Sequence, residues 1–292
     1  MFIKIKIKIK NRIHQQKNKK NLQCRDIMNF KEWEPLYQII LDKFHFLGKD
    51  DQEAALLLSE YFKTALVPLT DEEYDPTLLL NSKINGRTVF VCGNAPSLEK
   101  EVLIYLEKEK KEKQLDESNE RQRNGKQRHE KQNPIFIAAD GAAAVLLKHK
   151  KIPDIIVTDL DGKQPKDADK EIKAADLGSV LLIHAHGDNS EKLKKYLPLL
   201  TKQIREHKVI PTCQCRPPDY LYNFGGFTDG DRCVFLAETF SAEKIVLLGF
   251  DFKDTDVTEM KKMKLQCAEK LIRAAAAETP GKIIFFYDFV DI

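Results

Sequence analysis

A three-layer α/β sandwich, with a mostly parallel sheet preceded by a small helical unit at the amino end, follows from three features of the 292-residue chain. Most of seven short strand-like runs are apolar throughout instead of alternating, as strands are when helices cover both faces of a sheet. Segments with helical apolar spacing separate the runs, the order expected for crossovers between parallel strands. Aspartates recur just after several runs, at the carboxyl edge where such a sheet presents its functional groups.

The chain opens with MFIKIKIKIK, which alternates like a strand but is followed by NRIHQQKNKKN, with no partner to pair with it. Residues 1–27 hold nine Lys or Arg against one acid, Asp26, and read as a disordered basic tail. Met28 begins a more ordinary start, MNFKEWEPLYQII, so the tail has the look of an upstream extension left by a misplaced start codon. From Phe30 to about Leu66, apolar residues recur at helical spacing (Trp33, Leu36, Ile39, Ile40 and Phe44, then Ala54, Leu57, Leu58, Tyr61 and Phe62), and Gly48 divides them into two helices. Residues 68–85 read as a linker that closes this 28–85 unit, and a Rossmann-like domain takes up 86–292.

The strands are expected near 88–92, 135–139, 154–158, 179–185, 208–212, 244–249 and 282–287. The first ends in CGNAPSL, where Gly93 permits a tight turn, Pro96 suits a first helical turn, and Asn94 or Ser97 serves as a cap. Free N–H groups along Gly93, Asn94, Ala95 and Ser97 suit an anion, although neither a P-loop lysine nor a G-x-G-x-x-G pattern is present. Residues 107–132 carry almost no apolar side chain and read as a helix end continuing into a flexible charged insertion.

The second strand delivers Asp140 and Gly141 to the start of an alanine-rich helix, so Asp140 is either an N-cap or a ligand. In TDLDG, Asp159 and Asp161 stand two apart where a strand opens into a loop, and capping explains only one of them. HAHGDN adds Asp188 after the fourth strand. Carboxylates gathered at one edge repel unless a cation neutralises them, and oxygen ligands of this kind suit Mg²⁺ shared with phosphate. His184, His186 and Asp188 resemble the start of a zinc-hydrolase pattern, but Asn189 replaces its closing histidine. His184 therefore reads as a packed strand residue, and His186 as a hydrogen-bonding group near a phosphate or organic substrate.

Further on, GGFTDGD precedes an apolar helical face. Thr228 or Asp229 is a ready N-cap, while Gly225 and Gly226 allow a flat ligand to approach. Asp251, between Phe250 and Phe252, reads as part of a packed turn. Lys261, Lys262 and Lys264 lie on the helix that follows, most of them solvated.

Composition narrows the classes. Without the tail, 39 basic and 44 acidic residues remain, a net of about −5, so the formal +3 belongs to the tail and nucleic-acid binding by the core is disfavoured. No apolar run nears the roughly 20 residues of a membrane-crossing helix, and no secretion signal is evident, which predicts a cytoplasmic protein without membrane partners. Six cysteines, mostly within apolar patterns, read as reduced packed thiols.

Taken together, GNAPSL, AADGA, DIIVTDLDG, HAHGDN, GGFTDGDRCVFLA and IVLLGFDF resemble the archaeal 6-hydroxymethyl-7,8-dihydropterin pyrophosphokinases, relatives of the thiamine pyrophosphokinases, over residues 86–290. The resemblance implies an ATP-dependent, Mg²⁺-requiring transfer of diphosphate to a pterin alcohol, with release of AMP, in methanopterin or folate-type pterin synthesis. It places metal ligands at Asp140, Asp159, Asp161 and Asp188, with Asp159, Asp161 and Asp188 in the chemistry. The nucleotide then lies against Gly93, Asn94, Ala95, Ser97 and Gly141, and the substrate against His186, Asn189, Thr228, Asp229 and Asp231. Two other classes fit the same acids: a glycosyltransferase holding its metal at Asp159 and Asp161, and a phosphate-binding domain without chemistry. The oligomeric state is left open.

Overall fold

The computed structural model describes residues 30–67, 75–120, 133–161 and 167–290. The basic tail, part of the expected linker and residues 121–132 of the charged insertion lie outside them. Seven strands form one sheet: β1 (Thr88–Cys92), β2 (Ile135–Ala139), β3 (Ile155–Thr158), β4 (Val180–Ala185), β5 (Val209–Cys213), β6 (Lys244–Leu248) and β7 (Ile283–Phe285). All six pairings are parallel, in the order β5-β4-β3-β2-β1-β6-β7. The chain thus steps outward from β1 on one side, then crosses back to build β6 and β7 on the other.

Every residue of β2, β3, β4 and β5 is buried, the consequence of helices on both faces. The central register sets Phe90 beside Phe136 on one side and Val246 on the other. The Phe90 and Phe136 rings stack at 5.0 Å.

The two amino-terminal helices are α1 (Phe30–Phe44) and α2 (Gly48–Ala65), with Gly48 at the first position of α2. Their buried faces, including Trp33, Leu58 and Phe62, belong to the same core as the sheet, and α2 packs on β4 and β5. Trp33 Nε1 donates to the Gln214 carbonyl (2.8 Å) and Ser59 Oγ to the Asp219 carbonyl (2.9 Å), both beyond β5.

The expected linker contains a helix, α3 (Pro76–Ile84), whose Leu80 and Ile84 are fully buried. Asp75 caps it by accepting from Thr77 N at 3.0 Å, and Pro76 stands at its first turn. The last part of the expected linker is thus a capped helix. Helix α4 (Leu98–Glu120) runs into the charged insertion. After β7 the chain turns at once into α11 (Phe286–Val290), so the last apolar run is half strand and half helix.

The remaining helices are α5 (Ala142–Lys148), α6 (Asp167–Asp176), α7 (Ser190–Tyr196), α8 (Thr201–Arg205), α9 (Asp229–Thr239) and α10 (Glu259–Glu278). Helix α9 crosses β1, β2 and β3. At the carboxyl edge the turns after β1 and β6 nearly touch: a Cβ on Gly93 would meet the Gly249 carbonyl at 2.6 Å, which restricts both positions to glycine. The described cysteines Cys92, Cys213, Cys215, Cys233 and Cys267 are all buried free thiols. No helix among the described residues is long and apolar enough to cross a membrane.

Candidate active site

Three of the predicted acids converge. The ligating oxygens of Asp140, Asp159 and Asp161 all lie within 4.8 Å of one another, above the carboxyl ends of β2 and β3. The backbone makes this happen. Asp140 N continues the ladder by donating to the Val157 carbonyl (2.8 Å), and the chain then turns sharply, leaving Asp140 at φ +43°. That left-handed conformation costs an L-residue about 1 kcal/mol, which marks a constrained position. Leu160 is likewise left-handed, at φ +62°, and buried, so the loop reverses around it and both flanking aspartates face the crevice. Thr158 Oγ1 steadies that reversal, accepting from Leu160 N (2.9 Å) and donating to the buried Glu171 (2.8 Å).

Asp159 is held on both oxygens. Asp161 N donates to Oδ1 at 3.1 Å, and His186 Nε2 lies 3.1 Å from Oδ2. Asp188 N donates to His186 Nδ1 (3.3 Å), so in the neutral ring the proton sits on Nε2 and points at Asp159. Burial alone would raise the Asp159 pKa. The hydrogen bonds with His186 and Asp161, aided by the charges of His186 and Arg232, overcome this and keep Asp159 below the usual carboxylate range. Asp161 goes the other way, pushed up to about 7 by partial burial, by its hydrogen bond and repulsion with Asp159, and by Asp140. Glu171 is raised well above its ordinary value by burial and then by the Asp140 charge. Without a cation, burial and mutual repulsion therefore oppose full ionisation of the cluster. Three hard oxygen donors that ionise together only with difficulty suit a divalent cation of the Mg²⁺ type.

The other predicted residues divide. Asn94 stands beside Gly141, where an added Cβ would meet Asn94 Nδ2 at 2.5 Å, so the turn after β1 touches the turn carrying Asp140. Gly93 is buried against the turn after β6 and donates its N–H to the Leu248 carbonyl (2.8 Å), and Ala95 N donates to the Gly249 carbonyl (3.0 Å), so neither N–H is free for the expected anion; Asn94 is exposed, and Ala95 and Ser97 are half-buried. Thr228 caps α9, and Asp229 at its first position pairs with Arg232 Nη1 (3.0 Å). Asp229 is raised well above its ordinary pKa by burial and then by the Asp159 charge.

Five expectations change. Asp188 does not join the carboxylate cluster; it is exposed, and its backbone N–H serves His186. Asn189 is fully buried: its Nδ2 donates to the Asp159 and His184 carbonyls (2.8 and 2.6 Å), and its Oδ1 accepts from His186 N (3.0 Å). It ties the two loops together and has no face toward a ligand. Asp231 is buried and turned onto its own helix start, accepting from Phe227 N (2.6 Å), Thr228 N (2.8 Å) and Thr228 Oγ1. The space beside Gly226 is taken by Arg232, whose backbone N would lie 2.7 Å from an added Cβ, and not by a ligand. His186, partly buried, has both ring nitrogens engaged within the protein, Nε2 with Asp159 and Nδ1 with Asp188 N, where a hydrogen bond to substrate was expected.

Sequence reasoning missed Arg232 and Gln214. Arg232 is the i+3 partner of Asp229 on α9, a spacing the sequence does display. Its Nη2 donates to Gln214 Oε1 at 3.1 Å, a contact between residues with no local pattern. Lys264, on α10, lies 5.7 and 5.9 Å from the Phe46 and Phe227 ring centroids, and its charge acts on Asp161.

Known proteins share this stretch of chain. A family profile described as "6-hydroxymethylpterin diphosphokinase MptE-like" matches residues 126–257, which carry the carboxylate cluster and the start of α9. A 6-hydroxymethyl-7,8-dihydropterin pyrophosphokinase of Methanocaldococcus jannaschii is 39% identical over 232 residues, covering 77% of this chain and 80% of its own. Proteins of the same name from Pyrococcus furiosus and Methanothermobacter thermautotrophicus are each 34% identical. The first match covers 89% of this chain and 99% of the relative, the second 84% and 94%.

Proposed function

The chain belongs to the archaeal 6-hydroxymethyl-7,8-dihydropterin pyrophosphokinase family, and on that premise we propose that it transfers diphosphate from ATP to 6-hydroxymethyl-7,8-dihydropterin, with Mg²⁺ at Asp140, Asp159 and Asp161. The observation that carries the reading is the convergence of three carboxylates at the edge of the sheet, with Asp159 held below and Asp161 raised above the usual carboxylate range. In the reaction, the hydroxymethyl oxygen gives up its proton to water and bonds to the β-phosphorus, the bond from that phosphorus to the oxygen it shares with the α-phosphate breaks, and AMP departs with that oxygen. When bound, the cation supplies charge neutralisation to the phosphate oxygens.

The protein's own part is positioning. His186 Nε2–H keeps Asp159 ionised and oriented, and the left-handed turns at Asp140 and Leu160 aim the carboxylates into one crevice. In the turn after β1, Asn94 is exposed beside Gly141 and is the group assigned to the phosphate chain, while Lys264 adds positive charge next to Asp161. Thr228 and Asp229, at the amino end of α9, are the hydrogen-bonding groups assigned to the pterin ring. With this substrate and product, the reaction is a step of methanopterin or folate-type pterin synthesis.

Incubation with ATP, Mg²⁺ and the reduced hydroxymethylpterin tests the reading. AMP and the pterin diphosphate are expected to appear in equal amounts. Hydrolysis of ATP without a pterin product, or consumption of a nucleotide sugar in its place, would remove it.

A further inference from the structure

Asp51 stands in the first turn of α2, far from the stretch the family profile matches, yet it is 4% exposed and accepts three hydrogen bonds. Tyr37 OH (2.7 Å) and Gln214 Nε2 (2.8 Å) donate to its Oδ2, and Gly187 N (2.8 Å) to its Oδ1. Gly187 belongs to the loop that carries His186, and a Cβ there would meet Asp50 Cβ at 2.8 Å, so only glycine lets loop and helix approach this closely.

Gln214 passes the contact on. Its backbone carbonyl is pinned by Trp33 Nε1 (2.8 Å) and Asn223 Nδ2 (3.1 Å), and its Oε1 accepts from Arg232 Nη2 (3.1 Å). A side-chain amide has one donating and one accepting end, and a guanidinium only donates. With Asp51 accepting at Nε2, the oxygen of Gln214 must face Arg232, which in turn holds Asp229 at 3.0 Å.

We propose that Asp51 is a positioning residue of the active site, which sets Arg232 against Asp229 through the Gln214 amide and seats the His186 loop through Gly187. The amino-terminal helices thereby become part of the catalytic machinery.

The test is Asp51→Asn, alone and combined with Gln214→Glu. With the oxygen of the introduced amide kept on Gly187 N, its NH₂ group confronts Gln214 Nε2; the relief is a flip of Gln214 that turns an NH₂ toward Arg232. Two readouts are expected to move together: kcat falls by about tenfold or more, the size of effect seen when groups that orient active-site ligands are lost, and a crystal structure of D51N shows Arg232 withdrawn from Asp229. In D51N/Q214E, the introduced carboxylate accepts from both the introduced amide and Arg232, so the pair and kcat recover to within about threefold. A folded D51N with the Arg232–Asp229 pair intact and wild-type kcat overturns the proposal. So does a double variant that regains melting temperature without regaining the pair. The turnover readout rests on the pyrophosphokinase reading. A wild type that forms no AMP removes that reading, while the Arg232–Asp229 contact still decides the relay.

Discussion

Asp161→Asn separates stability from function at the carboxylate cluster. Asp161 is raised from its ordinary 3.8 to about 7. The native state therefore binds its proton more tightly than the unfolded chain does, and the ionised form is carried at a cost. The sign follows: between about pH 4 and 7, metal-free wild type loses stability as pH rises, and above 7 the full cost is present. At about 1.36 kcal/mol per pKa unit the shift corresponds to about 4 kcal/mol. Asp161 is more than a third exposed, so solvent screening reduces this to roughly 1 kcal/mol. The neutral amide escapes that cost, and at pH 8 metal-free D161N should melt about 2–4 °C above wild type.

Adding Mg²⁺ or Mn²⁺ should reverse the order. A cation at a hundred times its Kd stabilises wild type by about 2.7 kcal/mol, and much less a variant missing one carboxylate. Melting curves at pH 8 with and without metal read out both effects, and turnover of D161N should fall at least about tenfold. The reasoning is refuted if metal-free D161N melts at or below wild type, or if metal raises both proteins equally.

Asp140→Gly should relieve the left-handed backbone at φ +43° and raise metal-free stability by about 1 kcal/mol, while turnover drops at least about tenfold; calorimetry and an AMP assay check the two halves. His186→Ala should weaken Mn²⁺ binding in titration calorimetry by about 10- to 100-fold through loss of the Asp159 contact, whereas Asp188→Ala should bind and turn over within about twofold of wild type. Asp231→Ala should cost about 1–2 kcal/mol in urea unfolding by stripping the start of α9, with the KM for the pterin little changed.

Much of the molecule was legible in the chain. Continuous apolar runs located all seven strands to within a residue or two at most ends, because burial on both faces leaves a signal in consecutive positions. Asp140, Asp159 and Asp161 were legible for a similar reason: parallel strands end at one edge, so acids just past those ends must gather. Asp188 satisfied the same rule and still lies outside the cluster, since the turn after β4 directs its side chain to solvent and spends its N–H on His186. Asn189 and Asp231 carry the chemistry of ligand-binding groups, but their hydrogen bonds are consumed by the loops they build.

What sequence alone determined, then, is whatever neighbouring residues encode: strand and helix periods, helix starts and the acids at strand ends. Only the tertiary structure brought the amino-terminal helices against the loop that carries His186, through Asp51 and Gly187. Asp51 and Gln214 meet across 163 positions, and no local pattern marks either residue for the other. Their pairing comes from α2 packing on β4 and β5, where the burial of apolar faces brings the two polar groups together and obliges each to satisfy the other.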